Sequence, residues 1–270
     1  PYATNIDGYG GLVVCGPMQA NWLHHFASDL PGHARRIQKE CSDARESVQS
    51  NQANPVGTVY LGVPSAYSVA LVPPLLHRMR TLYPNISVHI VEAFSGTVYE
   101  WLINGRLDLA ILYYSKEHSA AVMSPFIEED MVALGTTEML ENKLEIPIAN
   151  LAQQKLITAW RSHMHRLTLD AAFVAADVPF EPRIEIDSLP CMIELAHRGE
   201  GIAILPPSCV ARELADGRLK GADLRPNIKL TTVLGQTPNK QVTRAMTVLV
   251  NTLQNLAAEL APKTGWKVAN

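Results

Sequence analysis

Four short residue groups in this sequence have the chemistry to hold a small molecule, and each falls where a strand reads as ending and a helix as beginning. They are Ser65 with Tyr67 and Ser68, Ser95-Gly96-Thr97, Arg161-Ser162-His163, and Asp187-Ser188. The start of a helix presents unpaired N–H groups and a partial positive charge. Hydroxyls and a guanidinium beside it would complete a pocket for a small anion or polar metabolite. Ser and Thr at helix starts also serve as plain N-caps. The weight behind a ligand comes from finding four such groups at corresponding places in two sheet units. Asp187 would repel an anion, so it is expected to cap the helix that starts at Ser188. Ser95→Ala and Thr97→Ala are expected to weaken ligand binding with little loss of stability.

These groups can bind, but they do not add up to a catalytic set. Gly199-Glu200-Gly201 lies between a helix end and a strand, the wrong order for a dinucleotide-binding loop. Ser65 lacks the glycines of a nucleophile elbow. His163 and His165 could touch a metal, but the sequence places no carboxylate or thiolate partner beside them. Cys15, Cys41, Cys191 and Cys209 are scattered without ligand spacing and read as free thiols. No enzyme activity, metal or cofactor is expected.

The positioning elements alternate between strand and helix from Gly57 onward. Thr58–Val63, Ile86–Glu92 and Leu107–Tyr113 read as strands, with helices over Ser68–Tyr83 and Thr97–Asn104 between them. This β-α-β-α-β order demands right-handed crossovers and a parallel sheet. In open sheets of this kind ligands sit beyond the carboxyl ends of the strands. A second unit begins near Gly135. Its strands are read at Leu156–Thr158, Arg183–Ile186 and Ile202–Leu205, and its helices at Arg166–Ala176 and Ser188–Arg198. A late strand at Ile228–Gly235 and a long final helix at Gln241–Leu260 follow.

Ahead of these lies a different pattern. Leu30, Ala34, Ile37, Cys41, Ala44 and Val48 follow one another at heptad spacing, the seam of a dimerising helix. A surface helix lying on its own domain has the same pattern. Residues 1–29 show no clear periodicity and read as loosely packed. The 270 residues are 47% hydrophobic and 18% charged with a net charge of −3, a composition without general attraction to nucleic acid or anionic membrane. No apolar run approaches the roughly 20 residues of a membrane span, and no signal peptide is legible at the start. The protein is therefore expected in the cytoplasm.

From Gly32 to Leu260 the chain resembles LysR-type transcriptional regulators. His33-Ala34-Arg35-Arg36-Ile37 is similar to the start of their linker helix, and Gly57-Thr-Val-Tyr-Leu-Gly-Val to their first effector-domain strand. Leu71-Val-Pro-Pro-Leu-Leu, Tyr83-Pro84, Leu102-Ile-Asn-Gly-Arg-Leu-Asp-Leu-Ala-Ile and Gly199-Glu-Gly-Ile-Ala-Ile-Leu-Pro follow in the family's order. Ser95-Gly96 to Ile111, with Glu185-Ile-Asp-Ser-Leu, is similar to the nitrogen-assimilation-control subgroup.

The resemblance implies an α/β fold of two Rossmann-like subdomains with periplasmic-binding-protein type II architecture. Residues 57–133 with 235–262 would form the first and 134–234 the second, after a linker helix at 30–54. A small-molecule effector would bind between them. The implied contacts fall on Ser65, Ser95, Thr97 and the loop at Arg161 and Ser162; Tyr67, Gly96 and Ser188 complete the candidate set. A homodimer or homotetramer is implied, with promoter DNA as the family's partner.

The family's winged helix-turn-helix has no counterpart in residues 1–29, which carry no Lys or Arg; the first basic residue is Arg35. A reading head needs such charges to meet phosphates, so this chain is expected to sense ligand and oligomerise without binding DNA on its own. A solute-binding protein of a transporter is the alternative. The heptad helix and the lack of a legible signal peptide argue against it.

Overall fold

Two tetrapeptides near the start, Ala-Thr-Asn-Ile and Leu-Val-Val-Cys, pair with each other. Ala3–Ile6 (β1) runs antiparallel to Leu12–Cys15 (β2), with Ala3 opposite Cys15. The sequence reading leaves residues 1–29 without regular structure, so this hairpin is a correction; Val13 and Val14 supply the β-branched residues that favour a strand. The computed structural model describes residues 3–6, 12–15, 34, 37, 40, 41, 44, 55–115, 121–141, 143–238 and 241–268. The chain divides into two units, residues 1–49 and 50–270. In the first, Ala34, Ile37, Cys41 and Ala44 are helical and exposed. The seam positions Leu30 and Val48 lie outside the described residues.

The second unit opens with Gly57–Val63 (β3), Ser65–Leu82 (α1), Ile86–Glu92 (β4), Ser95–Ile103 (α2) and Leu109–Tyr113 (β5). Strand β3 is the middle of the three, pairing in parallel with β4 over its whole length and with β5 on its other side. Val122–Asp130 (β6) and Val132–Gly135 (β7) follow, then Thr137–Leu140 (α3), Glu145–Pro147 (β8), Ile148–Leu151 (α4) and Leu156–Thr158 (β9). Met164–Ala175 (α5), Ile184–Glu185 (β10), Leu189–His197 (α6) and Ile202–Leu205 (β11) lead into the 3-10 turn Pro207–Val210. Ala211–Ala215 (α7), Lys220–Arg225 (β12), Lys229–Gln236 (β13), Arg244–Thr264 (α8) and Lys267–Val268 (β14) complete it.

These strands form two six-stranded sheets. The first runs β14-β6-β13-β5-β3-β4 and the second β10-β9-β11-β7-β12-β8. The chain leaves the first sheet through β6 and returns through β13, which lies antiparallel to both β6 and β5. Only Met131 separates β6 from β7, so the passage between sheets is short and direct.

Helix α1 shows how burial overrides local propensity. It contains Pro73 and Pro74, and a proline inside a helix costs about 3 kcal/mol. Tyr67, Leu71, Leu75 and Met79 recur every fourth residue and are all buried. Each is worth about 1.5–3 kcal/mol of apolar burial, enough to carry the helix through both prolines. On the opposite face, α2 lies tight against the sheet at Gly62. A Cβ there would stand 2.5 Å from Val98 Cγ1 and 2.7 Å from Leu107 Cδ1. Gly62→Ala is therefore expected to destabilise the protein by roughly 1–3 kcal/mol through overpacking, read as a lower urea midpoint at unchanged slope. Among the described residues no helix is long and apolar enough to cross a membrane.

Candidate functional site

A cleft with about 510 Å³ of empty space, partly open to solvent, lies between the carboxyl ends of the strands of the two sheets. The first sheet contributes Pro64, Ser65 and Ala66 after β3, Ala93, Phe94 and Ser95 after β4, and Tyr113 at the end of β5. The second contributes Ala159 after β9, His163, Met164 and His165 at the start of α5, Leu189 and Met192 of α6, and Leu205-Pro206 after β11. The walls are mostly apolar, with polar groups only at a few points.

Those points are helix starts. α6 and α8 begin with hydroxyl caps: Ser188 Oγ accepts from the Cys191 N–H at 3.4 Å, and Thr243 Oγ1 from the Met246 N–H at 3.2 Å. Of the helices that begin at the cleft, α1, α2 and α5 differ from α6 in having Pro64, Phe94 and His163 at their N-caps and no side-chain cap. Their first N–H groups are left for solvent or a ligand. Three helix starts without side-chain caps meet at this cleft, an arrangement that favours an anionic group.

The structure brings some of the candidate residues to this cleft and leaves others away from it. Ser65 and Ser95 line it. Tyr67 does not: it is fully buried behind the wall, its ring against Tyr113 and Trp266. Gly96 is exposed and Thr97 half-buried in the first turn of α2, next to the lining rather than in it. Arg161 and Ser162 are exposed and outside the lining. Ser188 is also outside it, acting as the cap of α6.

Two expectations need correction. Asp187 does not cap α6, because Ser188, in extended conformation, holds that place itself. The Asp187 carboxylate instead accepts the Trp160 N–H at 2.9 Å and stands 3.0 Å from His163 Nε2. Those hydrogen bonds hold its pKa below the usual carboxylate value, against the opposing effect of desolvation. Ser95 is not a dispensable hydroxyl either. It is buried, and its Oγ accepts the Tyr113 N–H at 3.1 Å, tying α2 to the end of β5. Ser95→Ala should therefore cost about 1–3 kcal/mol by stranding that donor, so a chemical-denaturation curve must accompany any binding measurement on it.

Phe94 is a lining residue that sequence reading passes over, and His163 and His165, weighed there as a binding group and as metal contacts, also line the cleft. The rings of Phe94 and His163 meet across the cleft, their centroids 4.0 Å apart. His165 is buried, with Nε2 2.7 Å from the Ile204 carbonyl. Burial lowers its pKa, which keeps the ring neutral. A neutral ring facing a carbonyl must carry its proton on Nε2, leaving Nδ1 as an acceptor. Nδ1 is itself buried with no hydrogen-bond partner. Among the described residues no group of three potential metal-ligating side chains gathers. The legible signal was position: all three residues sit at or within two residues of the N-cap of a helix that follows a strand.

Two linked α/β sheets with a cleft over their strand ends define a ligand-binding fold. The LysR substrate binding domain family matches residues 52–258, and the chain belongs to that family. It is similar to the HTH-type transcriptional regulator BbuR of Bordetella bronchiseptica, 27% identical over 191 residues, covering 70% of this chain and 59% of the relative. It is equally similar to the nitrogen assimilation regulatory protein nac of Escherichia coli, 27% identical over 183 residues, covering 67% of this chain and 59% of the relative. Identity alone therefore does not favour the nitrogen-assimilation-control subgroup. The fold matches the CcmR regulatory domain of Synechocystis PCC6803 in complex with 2-PG, with a TM-score of 0.68 at 22% identity over 74% of this chain and 97% of that one. The chain spans 59% of the length of the curated relatives it matches. Those relatives are transcriptional regulators rather than enzymes.

Proposed function

We propose that this chain is the effector-sensing and oligomerising portion of a LysR-type transcriptional regulator, working in the cytoplasm and catalysing no reaction. A small polar or anionic metabolite binds in the cleft, and its preference for one arrangement of the two subdomains shifts the regulator's population. The observation that carries this reading is the convergence of three uncapped helix starts on one cavity between two sheets. The subdomains follow the two sheets, so β7 from Val132 goes with the second and β13 at Lys229–Gln236 with the first, which moves the bounds implied by the resemblance (57–133 with 235–262, and 134–234) to those strand edges.

The apolar walls formed by Phe94, Met164, Leu189 and Met192 favour a ligand with a compact hydrocarbon body behind its anionic group. A hydrogen-bond donor on that body would satisfy His165 Nδ1. Of the candidate effector contacts, Ser65 and Ser95 keep that role, joined by the backbone N–H groups of Gly96 and Thr97. Dimerisation runs through the helix carrying Ala34, Ile37, Cys41 and Ala44, whose exposed apolar side would be covered by a second copy.

A thermal-shift screen of small carboxylates and organic phosphates tests the reading. One or more members should raise the melting temperature in a concentration-dependent way. A panel that stabilises nothing would count against an anion sensor.

A further inference from the structure

Behind the cleft wall lies a carboxylate the effector reading does not use. Glu129, in β6, is 2% exposed. The N–H of Ser208 donates to its Oε1 at 2.8 Å, the Ser208 hydroxyl to its Oε2 at 2.8 Å, and the Trp266 indole N–H to its Oε2 at 2.9 Å. The Tyr67 hydroxyl faces the same group, short of good hydrogen-bond geometry. The donors come from three separate places: the turn that leaves the second sheet, the C-terminal segment before β14, and helix α1. Glu129 itself stands two residues before the passage from β6 into β7. Among the described residues no lysine, arginine or histidine pairs with it.

We propose that Glu129 is a proton-operated clasp that fastens the turn leaving the second sheet to the strand that links the sheets. The clasp is coupled to the cleft by direct continuity. Leu205 and Pro206, which line the cleft, run straight into Ser208, and Tyr113 lines the cleft while facing Glu129 from β5. The other titratable groups around it are the Tyr67 phenol from α1 and the Cys209 thiol from the Pro207–Val210 turn. Burial and the neighbouring carboxylate raise both of these, and Tyr113, well above their ordinary values, so they stay neutral. Glu129 is thus the group that changes charge near neutral pH. Burial pushes it from 4.5 up to about 7, against the opposing effect of its hydrogen bonds.

The sign follows from linkage. A carboxyl whose pKa is higher in the fastened clasp than when exposed to water binds protons more tightly when fastened. Fastening is therefore favoured at low pH and weakened as pH rises from 4.5 through 7. While the clasp is fastened, the Ser208 N–H and the Trp266 indole can only donate, to the charged carboxylate or to the unprotonated oxygen of the acid. The Ser208 and Tyr67 hydroxyls can turn from donor to acceptor when the proton arrives. The inference concerns the unliganded chain and stands whether or not the effector reading does.

Two-dimensional ¹H–¹⁵N NMR of the whole chain tests it, with the Trp266 indole signal assigned by Trp266→Phe. The indole signal should titrate with a midpoint near pH 7. Ser208→Ala, which removes a donor to the charged form, should move that midpoint upward; Glu129→Gln should abolish the titration. Exchange of the Ser208 amide, corrected for the intrinsic effect of pH, should rise roughly tenfold between pH 6 and 8.5. A flat indole signal from pH 5.5 to 8.5, an unchanged midpoint in Ser208→Ala, or exchange that does not rise would overturn the clasp. So would a titration that persists in Glu129→Gln; if that variant does not fold, Ser208→Ala alone decides.

Discussion

Replacing Ala93 with tryptophan is expected to abolish effector binding while leaving the fold standing. Ala93 is half-buried and lines the cleft just beyond β4, next to Phe94. An indole there would occupy the space between Phe94 and the facing wall of Met164 and Met192. It touches neither the hydrogen bond of Ser95 to Tyr113 nor the strand pairing of β4 with β3. Affinity for any ligand identified by the thermal-shift screen should fall by about 100-fold or more, equivalent to about 2.7 kcal/mol. Ala93 also packs against the cluster around Val98 and Leu102, so the urea midpoint should fall somewhat while the protein stays folded. Calorimetric titration beside an unfolding curve separates the two effects. Unchanged affinity would place the ligand outside this cleft.

The second large effect is expected at Arg166. Its side chain is fully buried, yet it carries a charge. Nε donates to Asp170 at 2.9 Å, Nη1 donates to Glu185, and the guanidinium lies 4.9 Å from the Phe180 ring centre. Nη1 also reaches the Ala159 carbonyl at 3.4 Å, tying the loop after β9 to the body of the second sheet. Breaking a fully buried pair costs 3–5 kcal/mol. Here Asp170 and Glu185 are about a third exposed, so water recovers part of that. Arg166→Ala should lose about 3 kcal/mol in urea unfolding. Since Ala159 lines the cleft, effector affinity should fall as well. Arg166→Lys should recover little, because an ammonium cannot reproduce the planar fork. A stability loss under 1 kcal/mol would show that the cluster is ornamental.

How far the sequence could be read depended on where the deciding forces come from. The strands Gly57–Val63 and Ile202–Leu205 are apolar runs bounded by turns, and their ends fall within a residue of the reading. The helix starts at Ser65 and Ser95 were visible as positions, because a strand end followed by small polar residues carries its own local signal. Strand β6 was not legible. It holds Pro125 and ends Glu128-Glu129-Asp130, which reads as solvated loop. Glu129 is buried only because Ser208, Trp266 and Tyr67 arrive from distant parts of the chain to surround it.

The same limit applies to the site. Arg161 and Ser162 carried the local signal of a binding loop; they stand exposed outside the cleft lining, while His163 and His165 line it. No local spacing decides which face of a helix start points inward; the packing of α5 does. Phe94 was overlooked because an aromatic residue before a helix resembles a core residue.

The most direct measurement maps a ligand onto backbone amides. With ¹⁵N-labelled protein, the best stabiliser from the carboxylate and phosphate screen is titrated while the signals of Ser65 and Ala66, Ser95 to Thr97, and Met164 to Arg166 are followed. These three helix starts should shift together with one dissociation constant, while the capped starts of α6 at Leu189 and α8 at Arg244 move less. Shifts confined to one helix start or to a surface away from the cleft would contradict the effector reading.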